Sequence, residues 1–323
     1  MKIKIIVCYY GKFPAWIESW LKSCRQNPGI RFMIVTDLHL EHIPDNAEIL
    51  HETLEELKGR FSRVLGMEAC LDTPYKLCDY KPVYGIAFEK ELEGFDFWGH
   101  CDMDLIFGDI RSFFTDDMLE RYDRLGTFGH LILYRNDKAI NTLYKKKGAA
   151  FSWKKVFSSR FSYGFDEQFG FNLICKKQKI KWLDCGHALC LDRCPQMPFQ
   201  FSGADNHTPQ WVLWEDGRIF QVYLNGQGEV VKEEKMYFHF SGKTYELDSK
   251  WKSAVFDFYN CTEMEEKDLK EFITMQIPDT YSSPKTEKHL GWRRIVLKCK
   301  RFNERTLYQK YIYIRQKAAY YLS

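Results

Sequence analysis

The sequence has 323 residues, of which 45% are hydrophobic, 16% aromatic and 28% charged, with a formal net charge of +3 at pH 7. Such a composition excludes a disordered, collagenous or low-complexity chain, and the length fits either one α/β domain with an appendage or two domains. No uncharged apolar run reaches roughly 18 residues, which excludes a helix that crosses a bilayer.

The first residues, Met1 to Val7, run straight into Cys8-Tyr9-Tyr10-Gly11. They lack the apolar length and small-residue cleavage site of a signal peptide, so Ile3–Cys8 reads as a first strand and a cytosolic location is expected. Trp16, Trp20, Leu21 and Cys24 recur at helical spacing, and Ile30–Thr36 is a second apolar, β-branched run of the kind found in buried parallel strands. Pro74 to Glu91 reads as a second helix, with Tyr75, Leu77, Val83, Ile86 and Ala87 facing inward. Phe95–Cys101 is a short apolar strand that ends in acidic residues. Gly126–Tyr134 and Ile180–Leu183 are also strand-like. Between Trp211 and Phe240, Glu-Asp-Gly and Asn-Gly turns predict antiparallel hairpins. The sum is an α/β core with a mixed sheet and a β-rich second half.

The eleven cysteines are odd in number and dispersed, as buried thiols are. Cys185, His187, Cys190 and Cys194 cluster, but without a paired C-x2-C knuckle they read as a loop lined with thiols rather than a zinc site. Charge is distributed unevenly. Residues 285–323 carry 11 Lys/Arg and 2 Glu, a local +9, while the other 284 residues hold 36 bases and 42 acids, a local −6. The basic tail is rich in tyrosine, which suits either an anionic membrane surface or a helix packed on the body. Nucleic acid is not expected, because the body is acidic and no recognised motif accompanies the tail.

Asp102-Met-Asp104 is the single D-x-D of the chain and follows the apolar strand. In extended backbone, residues i and i+2 point to one side, so two carboxylates can converge on a hard cation such as Mg²⁺ or Mn²⁺. The competing reading is a capped turn after the strand, with Asp109 as a cap for the residues beyond it. Far downstream, apolar residues flank His239 in His239-Phe-Ser-Gly242-Lys243-Thr244. An imidazole can complete a carboxylate site, and Lys243 offers charge to a diphosphate. Gly242-Lys243-Thr244 is not a P-loop, because Tyr237 stands where that motif needs glycine.

Together Asp102, Asp104, His239 and Gly242 resemble the D-x-D and late H-x-x-G of GT-A glycosyltransferases, above all the glycogenin and bacterial lipopolysaccharide galactosyltransferase superfamily. The sequence also resembles an uncharacterised bacterial family found with surface-polysaccharide genes, through Asp79-Tyr-Lys-Pro82 and Gly99-His-Cys-Asp102-Met-Asp104. The resemblance implies a GT-A-like (Rossmann-type) mixed sheet flanked by helices. Residues 1–262 would form the catalytic domain and 263–323 a helical, basic-aromatic segment. It implies that Asp102, Asp104 and His239 bind Mn²⁺ or Mg²⁺, which holds a nucleotide-sugar donor, UDP by default. A nucleotide pocket is implied near Tyr9, Tyr10, Thr36 and Asp37, with Gly242 and Lys243 at the diphosphate. Lys243 follows Gly242 directly here, whereas the superfamily lysine usually lies three residues beyond the glycine. A basic residue before the D-x-D contacts the donor in these enzymes; Lys81 is the candidate and Lys76 its rival. Asp166 and Glu167, in Gly164-Phe-Asp-Glu-Gln-Phe-Gly-Phe-Asn172, resemble the acidic stretch beside donor sugar and acceptor. Glu215-Asp216-Gly217 reads as a hairpin turn rather than a rival acidic pair. His130 is either a sugar or acceptor contact or an ordinary strand histidine.

The expected activity is transfer of a sugar to a hydroxyl of a lipid-linked bacterial surface polysaccharide at the inner face of the cell membrane. The likeness leans toward retention of configuration. Nucleotidyl transfer to a sugar phosphate and a non-catalytic membrane-associated glycan-binding protein are the alternatives.

Overall fold

The computed structural model describes residues 1–193, 200–241, 245, 247–248, 250–257, 261–264, 266–275 and 304–321. Its main sheet begins with β1 (Ile3–Cys8), β2 (Ile30–Thr36), β3 (Ala47–His51) and β4 (Phe97–Cys101). β1 pairs in parallel with both β2 and β4, and β2 with β3. The side chains of β1 alternate between two cores: Ile3, Ile5 and Val7 enter one, Ile6 the other. Burial on both faces explains why these strands read as continuous apolar runs. α1 (Ile17–Arg25) covers one face with Trp20, Leu21 and Cys24. α2 (Leu54–Leu65) covers the opposite face with Leu57, Phe61 and Leu65, and starts on a Thr53/Glu56 capping box.

Residues 74–87 do not form the single helix that their spacing predicts. They make four short helical turns, Pro74–Lys76, Leu77–Tyr80, Lys81–Val83 and Tyr84–Ala87. Pro82 has no N–H to continue a ladder, so the chain breaks there. Tyr75, expected inside, is 72% exposed, whereas Leu77, Val83 and Ala87 are buried as expected and Ile86 is half-buried.

After β4 come β5 (Leu105–Phe107), β6 (Arg124–Leu125), β7 (Leu131–Arg135) and β8 (Trp182–Leu183). β7 pairs antiparallel with β4 and β6, making a seven-stranded mixed sheet in the order β3-β2-β1-β4-β7-β6-β8. The second half is rich in strands: β9 (Cys190–Asp192), β10 (Gln210–Glu215), β11 (Arg218–Leu224), β12 (Val230–Lys235), β13 (Tyr237–His239), β14 (Ser253–Phe256) and β15 (Cys261–Glu263). Asp216 and Gly217, at φ 46° and 82°, close the β10–β11 hairpin, the positive-φ pair that a two-residue turn needs. The mixed α/β architecture with a β-rich second half is therefore present. No described helix is long and apolar enough to cross a membrane.

A small sheet, β5-β13-β9, joins the two halves. Its register sets His239 opposite Leu105 on one side and Asp192 on the other. The C-terminal helix, Glu304–Tyr321, lies against the body: Ile312 is buried, Gln309 Nε2 donates to the Ser162 carbonyl (3.2 Å), and the Tyr308 ring sits 4.3 Å from Phe161. The first part of the basic tail, residues 285–303, lies outside the described residues.

Candidate active site

β1, β2 and β4 are parallel, so Tyr9, Thr36 and Asp102 emerge at one edge of the sheet, where α/β folds gather ligands. The chain bends at Asp102 and re-enters strand at Leu105, while the Phe240 N–H donates to the Asp104 carbonyl (3.1 Å). This stitch carries His239 to the two aspartates. Ligand atoms of Asp102, Asp104 and His239 all lie within 4.8 Å of one another. His239 Nε2 is 3.3 Å from Asp104 Oδ2, and its Nδ1 is 2.7 Å from Asp192 Oδ1. Two partly exposed carboxylates and a mostly buried imidazole converge, a donor set that suits a divalent cation. Burial opposes the His239 imidazolium, but hydrogen bonds to Asp104 and Asp192 outweigh it and push the group up to about 9.

Lys81 sits where the broken helical segment turns. Its ammonium donates to Asp102 Oδ1 (2.7 Å) and to the Gly129 carbonyl (3.0 Å), and lies 3.4 Å from Asp166 Oδ2. Burial disfavours that charge, yet Asp102 and Asp166 more than offset it, so the ammonium stays protonated. Asp166 is buried, and desolvation pushes its carboxyl up to about 7 against the pull of Lys81. Partial desolvation also raises Glu167, again against Lys81. Gly129 is tight against this pair: a Cβ there would stand 2.9 Å from Asp166 Oδ2.

The His130 ring lies 3.8 Å from that of His239, and its carbonyl accepts from the Asp102 N–H (2.9 Å). Burial and the neighbouring His239 lower it to about 4, so it is neutral at pH 7. Lys81, Asp102, His130, Asp166, Glu167 and His239 line one cleft of about 600 Å³, together with Tyr75, Cys78 and residues of the C-terminal helix.

The remaining expected site residues lie elsewhere. Tyr9 is beside Asp104: burial first and that carboxylate second raise its phenol. Tyr10, Thr36 and Asp37 stand at the same sheet edge but do not line the cleft. Gly242 and Lys243 are outside the described residues. Lys76, the rival of Lys81, is structural: fully buried, it donates to Asp79 Oδ2 (2.7 Å) and the Val156 carbonyl (2.8 Å). Asn172 bonds Arg124 (2.5 Å) rather than facing the cleft. Cys190 is buried and Cys185 half-buried, while Cys194 is outside the described residues, among which no cysteine belongs to a metal-ligand cluster.

Two residues have roles here that the sequence does not assign: Asp192 lies in no motif, and Asp79 appears only as the first residue of the Asp79–Pro82 signature. Asp192 meets His239 only through β9–β13 pairing, which no local pattern announces. Asp79, completely buried, accepts the N–H groups of Tyr163 and Phe165 and so holds the loop that presents Asp166.

Residues 5–271 match the model described as "Family of unknown function (DUF6625)". The chain belongs to this family. No curated protein matches. Among solved structures, this DUF6625 chain is similar to the galactosyltransferase LgtC in complex with donor and acceptor sugar analogs, at 8% identity, over 58% of this chain and 75% of that one, with TM-score 0.33. It is also similar to mouse xyloside xylosyltransferase 1, at 7% identity, over 60% and 88%, with TM-score 0.36. A third is the glycosyltransferase GlyE of Streptococcus pneumoniae TIGR4, at 10% identity and TM-score 0.31, of which the chain spans 46%.

Proposed function

We propose that this protein is a GT-A glycosyltransferase that uses Mn²⁺ or Mg²⁺ to transfer a sugar from a nucleotide-sugar, with UDP the default nucleotide, to a glycan hydroxyl. The observation that carries the reading is the convergence of Asp102, Asp104 and His239 beside Lys81 and a buried carboxyl in one cleft.

A cation held by Asp102, Asp104 and His239 would supply positive charge to a departing diphosphate. Lys81 adds a fixed positive charge and, by binding Asp102 and Asp166 at once, sets the distance between the donor side and the acceptor side. Asp166, poised near neutrality, and Glu167 beside it are the groups that can accept the acceptor's hydroxyl proton. Neutral His130 forms the wall against His239 and offers a ring nitrogen to a sugar hydroxyl. Tyr9, Tyr10, Thr36 and Asp37 are assigned to the nucleoside, as the rim at the carboxyl ends of parallel strands. In this reading residues 1–262 are the catalytic unit and 263–323 the appendage, and the acceptor is a lipid-linked bacterial surface polysaccharide at the cytoplasmic face. Retention of configuration, toward which the resemblance leans, requires the leaving diphosphate itself to take that proton on the same face, whereas abstraction by Asp166 or Glu167 from the opposite face gives inversion.

The test is a panel of nucleotide-sugars with Mn²⁺, reading nucleoside diphosphate released. Metal-dependent release that Asp104→Ala abolishes supports the proposal. Pyrophosphate from a nucleoside triphosphate and a sugar phosphate assigns nucleotidyl transfer instead, and metal-independent glycan binding without turnover assigns a binding module.

A further inference from the structure

We propose that the exposed surface of residues 138–181, continuous with the outer face of the C-terminal helix, docks this protein on an anionic lipid bilayer with the candidate cleft opening at its edge. That a lipid-held acceptor is presented there rests on the transferase reading; the docking surface itself does not.

Residues 138–181 hold eleven Lys or Arg and two acids, Asp166 and Glu167, both of which line the cleft. All eleven bases are exposed, and among the described residues none of their charged groups forms an ion pair with a carboxylate, although the Lys181 N–H donates to Asp123 Oδ2 (3.3 Å). Contacts join seven of them, Lys145–Lys147, Lys154, Lys155, Lys176 and Lys177, on one surface. Gln178 Nε2 donates to the Lys147 carbonyl (3.3 Å), tying Lys145–Lys147 to the lysine-rich end of the helix Phe171–Lys177. The Lys145 ammonium lies 5.9 Å from the Trp153 ring, next to Lys154 and Lys155. Phe151 meets the C-terminal helix through Tyr311, 6.4 Å between rings, and Arg315, 6.0 Å from its guanidinium carbon. From that helix Tyr311, Tyr313, Ile314 and Tyr321 project at 47%, 50%, 65% and 76% exposure, and Tyr313 also lines the cleft.

Ten of the eleven bases are lysines. Lysine is a hydrated point charge on a flexible stem, without the fork with which arginine reads a fixed anion, and so suits a diffuse sheet of phosphates. Tyrosine and isoleucine raised among lysines match the depth profile of headgroups over hydrocarbon. Together these features favour a bilayer over a soluble polyanion.

The experiment is sedimentation of the full chain with vesicles of phosphatidylcholine alone or with about one-third phosphatidylglycerol. Binding is expected only to the anionic vesicles and should weaken with salt, each lysine contributing about fivefold. Neutralising Lys145, Lys147, Lys176 and Lys177 to Ala should lower partitioning at least tenfold while circular dichroism and turnover of a soluble donor are unchanged. Tyr311→Ser with Ile314→Ser should weaken binding without changing its salt dependence. Equal binding to neutral vesicles, unaltered binding of the four-lysine variant, or binding to a soluble acidic polysaccharide with none to vesicles would each overturn the proposal. Vesicle binding by a chain that turns over no donor keeps the surface and removes only the acceptor clause.

Discussion

Asp192 borders the candidate site, and with His130 and His239 it forms a second group of ligand atoms within 4.8 Å of one another. Its carboxylate takes Nδ1 of His239 and leaves Nε2 facing Asp104 and Asp102. A carboxylate behind a ligand imidazole fixes ring orientation and tautomer, and its loss typically costs 10–100-fold in metal affinity. Asp192→Ala is expected to weaken Mn²⁺ binding by about that factor in a titration followed by electron paramagnetic resonance, with Asp192→Glu recovering part of it; unchanged affinity would remove Asp192 from the site. Asp166 carries a different prediction. Its carboxyl titrates near 7, so the charged form that can accept a proton grows as pH rises through that value. Turnover should climb from pH 6 to 8 with a midpoint near 7, and Asp166→Asn should remove that limb. Stability runs the other way for this group: its folded value lies above the unfolded one of about 4, so its stabilising contribution is complete below pH 4 and lost as pH rises through 7. Both assignments draw on pairs distant in sequence, Asp192 with His239 and Asp166 with Lys81. That is why Asp166 and Lys81 enter the candidate site through motif resemblance, whereas Asp192, in no motif, does not.

Among the elements, the segment from Pro74 to Ala87 decides how well the cleft is set. Its apolar spacing is readable, but its continuity is not, because Pro82 and the polar demands of Lys76, Asp79 and Lys81 break it into turns. Those breaks have a use. Asp79 and Lys76 face the loop 161–165 and satisfy its amides and carbonyls, while Lys81, one turn later, faces the cleft. Asp79→Ala would leave the Lys76 ammonium buried without its carboxylate and free two loop amides, a loss of about 3–5 kcal/mol for breaking a buried pair. Urea unfolding should show a drop of that size, and double replacement with Lys76→Met should recover much of it. If Asp79→Ala unfolds at the wild-type midpoint, the loop is held by something else. The start of α2 shows the converse: Thr53-Leu-Glu-Glu56 spells out a capping box that periodicity alone passes over, and the structure uses both of its bonds.

At the scale of the whole molecule, the candidate metal site is the junction of separately formed parts. β4 ends the large sheet at Asp102, β5 and β13 belong to the small sheet, and β9 arrives from residues 190–192. The parallel strands and hairpins are legible because each comes from local periodicity and turn chemistry. The small sheet is not, because its three short strands pair across long loops and each has only three residues. A cation at this junction ties the two halves of the fold together, so it should stabilise the chain globally, not only raise activity. Mn²⁺ at a hundredfold excess over its dissociation constant adds about 2.7 kcal/mol by mass action, a rise of a few degrees in Tm for a chain of this size. Asp104→Ala should abolish that rise, and it should also lower the metal-free Tm somewhat, because the mostly buried His239 imidazolium loses one of its two carboxylate partners. Differential scanning fluorimetry with Mn²⁺ and a chelator control reads both quantities without any substrate. Equal stabilisation of wild type and Asp104→Ala would move the cation off the aspartate pair, to the neighbouring His130, Asp192 and His239 or to the surface, and with it would go the claim that the D-x-D and His239 close on a single ion.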